Sequence, residues 1–136
     1  MIEHERMAEI LKALAHPVRI QIMEVLQTEG EACVCHLEAV LGQRQAYVSQ
    51  QLAVLRSAGL VVDRRDGLNV FYAPGLKEIE ALLAQAQSLA RSMALTDGEA
   101  WELERIWTSK PEDCACPRCA PSEADAEPQA ATVRGG

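Results

Sequence analysis

Five cysteines fall in two groups along the 136 residues, Cys33-Val34-Cys35 in the first third and Cys114-Ala115-Cys116-Pro117-Arg118-Cys119 near the end. Thiolates are soft donors, so CxC and CxxC spacings suit As(III), Cd(II), Pb(II), Cu(I) or Zn(II) better than hard ions. The three tail cysteines stand among Pro, Ala, Glu and Asp, in a segment with almost nothing to bury. Metal ligation or redox chemistry is the use that remains for them. Cys33 and Cys35 have two readings at this level, as ligands or as small buried hydrophobes. Residues two apart point to opposing sides of a continuous helix, so this pair would meet one ion only if the first turn bent or unwound. Of the histidines, His36 reads as a surface or capping residue, and His4 and His16 as bystanders, His16 marking a helix start beside Pro17.

The elements that must position these groups are mostly helical. Met7, Ile10, Leu11 and Leu14 recur at helical spacing and predict a helix over Glu5 to Leu14; Pro17 suits the first position of the next, which runs to Gln27 with Val18, Ile22, Val25 and Leu26 inward. A short third helix, Cys33 to Leu41, stops at Gly42. A fourth, Gln45 to Ala58, buries Val48, Leu52 and Leu55. Leu60-Val61-Val62 then opens a strand whose partner is Leu68 to Tyr72, across Asp66-Gly67 as the turn. Leu76 to Met93 forms an amphipathic helix, and a further helix is expected from Asp97 to Trp107, with Trp101 and Ile106 apolar. The boundary of the folded domain is placed at 1–95. Residues 96–136 read as an extension with one short helix and a Cys-rich, Pro-rich tail that cannot build a core.

Helix, short turn, helix and hairpin in this order spell a winged helix-turn-helix, α-α-α-α-β-β-α, whose second helix enters the major groove while the hairpin flanks the backbone. The net charge of −7 runs against phosphate binding, yet from Gly42 to Val62 the only charged side chains are Arg44 and Arg56, and Arg64 and Arg65 follow. A neutral-to-basic face survives there. Gln45, Tyr47, Ser49 and Gln50 are side-chain types that hydrogen-bond bases and phosphates, so Arg44, Gln45, Tyr47, Ser49, Gln50, Arg56, Arg64 and Arg65 are the candidate DNA contacts.

Three stretches resemble the ArsR/SmtB family of metal-responsive repressors: Leu14-Ala15-His16-Pro17-Val18-Arg19, then Val48-Ser49-Gln50-Gln51-Leu52-Ala53-Val54-Leu55 with Ala58-Gly59-Leu60-Val61, and the hairpin end Val70-Phe71-Tyr72. The resemblance covers roughly Ala8 to Met93. It implies that Gln45 to Ala58 is the recognition helix, that the first and fifth helices form a homodimer interface, and that the dimer holds a palindromic operator until an inducer binds. Ile10, Leu14, Ile79, Leu82, Leu83, Ala86 and Leu89 are the expected interface residues. Glu31 to Leu37 is similar to the family's metal-binding box, which makes Cys33 and Cys35 ligands. Two departures from the arsenite-sensing pattern stand out, His36 where the box carries Asp and Glu38 where a third cysteine would sit. The missing thiolate is expected from Cys114, Cys116 or Cys119. The family's other site, for zinc on the fifth helix, is absent, since Leu76 to Met93 holds neither His nor Asp.

No charged start with an apolar run and cleavage site is visible, and no apolar stretch reaches membrane-spanning length, which places the protein in the cytosol. Metal-triggered release from DNA, with As(III) ahead of Cd(II), Pb(II) and Zn(II), is the leading expectation. Its rival is a thiol redox or polysulfide sensor on the same scaffold. A reductase built on Cys116 and Cys119 lacks the alternating strands and helices such a fold needs. An interaction module without a DNA role is the third alternative, favoured only by the acidic charge.

Overall fold

A computed structural model describes residues 2–96 of the chain. The order is α1 (Glu3–Leu14), α2 (Pro17–Glu29), β1 (Ala32–Cys33), α3 (Val34–Leu41), α4 (Gln45–Ser57), β2 (Val61–Asp66), β3 (Asn69–Pro74) and α5 (Glu78–Thr96). The mainly helical architecture with a hairpin wing is the one expected. The helix expected over 97–107 and the cysteine tail lie outside the described residues.

Local chemistry explains most boundaries. Glu3 and Glu5 occupy the first turn of α1 and Lys12 its last, each complementing the helix dipole. His16 is the extended N-cap of α2, its Nδ1 accepting from the Val18 amide at 3.3 Å, and Pro17 follows at the first helical position. The helix start expected at His16-Pro17 thus has a specific hydrogen bond.

Two boundaries differ from expectation. Ala32 and Cys33 are not helical but form a two-residue strand that pairs antiparallel with β3, Ala32 opposite Tyr72 and Cys33 opposite Phe71. The sheet order is therefore β1-β3-β2. Two residues carry no periodicity, so only the pairing defines this strand. The hairpin turn is also displaced by one residue: Asp66 faces Asn69, leaving Gly67 and Leu68 as the two-residue loop. Gly67 takes a φ of 62°, the sign that hairpin turns of this length need.

One core unites α2, α3, α4 and the base of the wing, with Ile22, Met23, Leu26, Leu37, Val48, Leu52, Leu55, Leu60 and Val61 buried. Each such aliphatic side chain contributes about 1.5–3 kcal/mol relative to exposure. The hairpin closes on this core where the Gly75 amide donates to the Leu60 carbonyl at 2.8 Å. A Cβ at position 75 would stand 2.7 Å from the Gly59 carbonyl oxygen, so only glycine fits.

Candidate nucleic-acid interface and thiol site

Helix α4 is held from behind by two kinds of contact. Val48, Leu52 and Leu55 enter the core, and Gln51, on the same stripe, is also buried. Its Oε1 accepts from Arg19 Nε at 2.8 Å, and Arg19 also donates through a terminal nitrogen to the Ala13 carbonyl at 3.2 Å. Sequence reasoning missed both residues. The signal was present in the spacing 48, 51, 52, 55, which places Gln51 on the inner face.

With that face docked, Arg44, Gln45, Ser49, Gln50 and Arg56 are exposed together on the other side of α4, and Arg65 is exposed on the wing. Three of the expected contacts are engaged elsewhere. Tyr47 is half-buried against the core, with its hydroxyl 3.5 Å from His16 Nε2. Arg56 lies 3.4 Å from Asp63 in an exposed ion pair. Arg64 is held by Glu31 through two bonds of 3.0 and 2.6 Å, which raises its pKa further, and its guanidinium carbon lies 4.6 Å from the centre of the Phe71 ring. Asp63 on β2 and Glu31 just before β1 create the two arginine pairs, so Arg64, expected to face phosphate, is held by Glu31.

Cys33 and Cys35 come together as the strand-to-helix junction turns. Cys33 is the N-cap of α3 at φ −84°, ψ 165°, extended rather than helical, so the rule that sends residues i and i+2 to opposing sides does not apply. The two Sγ atoms lie 3.4 Å apart with no unwinding of the helix. Two sulfurs on a tetrahedral ion with bonds near 2.3 Å would stand about 3.8 Å apart, so a small adjustment fits the pair to two corners of such a sphere. Cys33 is buried and packs with Phe71 and Cys35 in a cluster separate from the main core.

Cys35 is disulfide-bonded. Its partner is not Cys33, because 3.4 Å is far beyond a covalent sulfur–sulfur length of about 2.05 Å. Among the described residues no three His, Cys, Asp or Glu side chains are grouped to hold a metal ion. The remaining candidate ligands, Cys114, Cys116 and Cys119, lie outside the described residues. His36, expected at the surface, is 4% exposed. It follows Cys35 on the inner side of the first turn of α3.

The expected interface residues divide. Leu14 and Ile79 are buried in the protomer's own core, and Ile10 and Leu83 are packed against it. Helix periodicity gives an apolar face without saying what covers it, and for Leu14 and Ile79 the cover is the chain's own core. Leu82, Ala86 and Leu89 are exposed on α5, Leu89 by 63%, and Met7 and Leu11 are exposed on α1. An open groove of about 370 Å³ lies between α2 and α5, lined by Glu24, Gln27, Glu80, Leu83 and Gln87 among others. Partial burial pushes the Glu24 carboxyl above its ordinary pKa. No helix among the described residues is long and apolar enough to cross a membrane.

A helix-turn-helix docked on a common core, with a hairpin wing in a three-stranded sheet beside it, defines a winged-helix DNA-binding regulator. Residues 16–62 match the family described as bacterial regulatory protein, arsR family. An HTH-type transcriptional regulator of Mycobacterium tuberculosis, Rv0081, is 42% identical over 88 residues, covering 64% of this chain and 77% of the relative. The chain belongs to the ArsR family. The crystal structure of Rv0081 superposes with a TM-score of 0.61, covering 70% of this chain and 94% of that one. A transcriptional repressor SmtB homologue of Synechocystis is 45% identical over 51% of this chain and 52% of its own length. The arsenical resistance operon repressor of Escherichia coli is 42% identical over 47% and 55% respectively. The homodimeric winged helix-turn-helix domain of Mb0332 from Mycobacterium bovis, 28% identical, gives a TM-score of 0.59 over 73% of this chain and 89% of that one.

Proposed function

We propose that the chain is a cytosolic, homodimeric transcriptional repressor that binds a palindromic operator and, once the Cys35 disulfide is reduced, leaves it when a thiol-seeking ion takes Cys33 and Cys35. The observation that carries this reading is the 3.4 Å approach of the two sulfurs at the start of α3, the helix that a short turn joins to α4. Arg44, Gln45, Ser49, Gln50 and Arg65 are the side chains assigned to DNA. The exposed stripe of Leu82, Ala86 and Leu89 with α1 pairs the two copies, and the similar Mb0332 domain is homodimeric.

A buried cysteine gives up its proton reluctantly, so ligation costs desolvation of a thiolate unless a cation replaces the proton. Thiophilic ions do that. Two sulfurs are too few for either a pyramidal or a tetrahedral sphere, and one or more of Cys114, Cys116 and Cys119 completes it. As(III) is the first candidate, with an arsenical resistance repressor among the relatives, followed by Cd(II), Pb(II) and Zn(II). The test is operator binding by the reduced protein, read by fluorescence anisotropy, with arsenite, cadmium, lead and zinc titrated separately. Release at one equivalent per subunit by one ion identifies the inducer; binding that no ion weakens overturns the reading.

A second reading is favoured by one observation, the disulfide at Cys35. In it the sensor couples thiol oxidation to DNA release: two thiols lose two protons and two electrons to an oxidant such as hydrogen peroxide and become one disulfide. Peroxide that releases the operator reversibly, in protein that no ion releases, selects this reading.

A further inference from the structure

The Cys33–Cys35 sulfur pair and the wing share a ladder of side chains across the sheet. Cys33 on β1 faces Phe71 on β3, and Phe71 faces Arg64 on β2, so the three stand in one row. Phe71 is 1% exposed and packs with Cys33 and Cys35 rather than with the main core. The Arg64 guanidinium covers its ring and grips Glu31 with both ends of its fork. Glu31 lies one residue before β1 and two before Cys33. Asp66, near the wing tip, adds a third acidic contact at 3.8 Å. Arg64 thereby ties the strand that carries the sensing sulfur to the strand that leads to the wing tip.

We propose that the Glu31–Arg64 clasp over Phe71 is the element through which the wing reads the state of the Cys33–Cys35 pair. The inference rests on the reading above that these sulfurs regulate DNA binding, and adds the route. Because the two sulfurs already meet without unwinding α3, deformation of that helix is not needed to bring them to a ligand. What a ligand changes is the position of Cys33, and Cys33 is an edge residue held to β3 by one short ladder. Parting it from Cys35 to the roughly 3.8 Å that a shared ion needs, and turning it toward a third ligand, shifts Phe71, moves Glu31 two residues upstream, and opens the grip on Arg64. The wing then loses its fixed angle to α4. Arg64 is in this account a positioning residue, not a phosphate contact, and a bidentate fork stacked on an aromatic ring is a geometry that lysine cannot reproduce.

The test uses the full-length reduced protein and cadmium ion as the probe. Operator affinity is measured by anisotropy with and without cadmium, and cadmium uptake is followed by thiolate charge-transfer absorption in the ultraviolet. In E31Q, cadmium uptake keeps its stoichiometry, while the loss of operator affinity that cadmium causes in the wild type shrinks by about tenfold, within the usual range of coupling between sites. R64K behaves like E31Q. The reversed pair, Glu31→Arg with Arg64→Glu, recovers most of the response. The salt dependence of operator binding by R64K stays at the wild-type slope. A full cadmium response in E31Q and R64K overturns the clasp while leaving thiol regulation standing. Loss of cadmium uptake in E31Q makes Glu31 a ligand and also overturns it. A wild type that binds cadmium and keeps its operator affinity overturns cadmium regulation and the clasp together.

Discussion

Arg19 on α2 donates from Nε to Oε1 of Gln51 on α4 at 2.8 Å, joining residues 32 apart in sequence. The bond fixes the roll of the recognition helix about its own axis, because Gln51 sits among Val48, Leu52 and Leu55 on the inward stripe. Losing the arginine leaves a buried amide without its charged donor, a change that costs about 1.5–3 kcal/mol. R19A is expected to lose stability on that scale in urea denaturation and to bind operator more weakly than its stability loss alone explains. A variant with unchanged stability would show that the contact is incidental.

Gly75 carries the closure of the wing onto the core. G75A places a methyl 2.7 Å from the Gly59 carbonyl oxygen, a backbone atom that cannot rotate away. The expected cost is about 1–3 kcal/mol, seen as a lower thermal midpoint. Alanine at the exposed neighbour Leu76 provides the control, with little change expected.

Glu24 gives the pH dependence a definite sign. Desolvation raises its pKa above the ordinary value of 4.5, so the folded state holds the proton more tightly than the unfolded chain. Stability attributable to this group therefore falls as pH rises from the unfolded value through the raised one, and the penalty is constant above it. E24Q removes the penalty. It is expected to raise the thermal midpoint at about pH 7 and to leave it nearly unchanged at about pH 4, where both side chains are neutral. An equal gain at both pH values would point to packing instead of charge.

Arg65 is exposed on the wing, and it lies beside an Arg64 whose fork is taken by Glu31. If Arg65 contacts phosphate, R65A lowers the slope of log affinity against log salt by about 0.9 and weakens specific and nonspecific DNA alike. Q50A, on α4, should instead weaken the operator selectively and leave the slope intact. Filter binding over a salt series separates the two.

Leu89 is exposed on a helix whose apolar stripe exceeds what the protomer buries. If this face pairs two copies, L89E leaves the unfolding of the core intact and raises the dimer dissociation constant by at least about tenfold, equivalent to 1.4 kcal/mol. Sedimentation velocity over a concentration series reads it directly. An unchanged dimer would move the interface off this face.

Much of the architecture was legible in the linear order of residues because its causes are local. Apolar spacing marked the helices, Pro17 and His16 marked the start of α2, and the stretch around Gly67 marked a hairpin. The resemblance of Leu14 to Arg19 and Val48 to Val61 was enough for the family, and the CxC pair was enough to suggest thiol chemistry.

What the tertiary structure decided are the contacts whose partners lie far apart in the chain. Two-residue β1 exists only because β3 offers it an edge, and that pairing makes Cys33 extended, puts its sulfur 3.4 Å from Cys35, and sets it against Phe71. Arg64 meets Glu31 33 residues away, a pairing that no local pattern around either residue announces. Leu14 and Ile79 went to the core while Leu82 and Leu89 stayed outside, although all four lie on apolar stripes. Local periodicity gives each helix a greasy side; which other element covers it depends on chain closure over tens of residues and on the packing of the whole core, and neither is written in any short window of sequence.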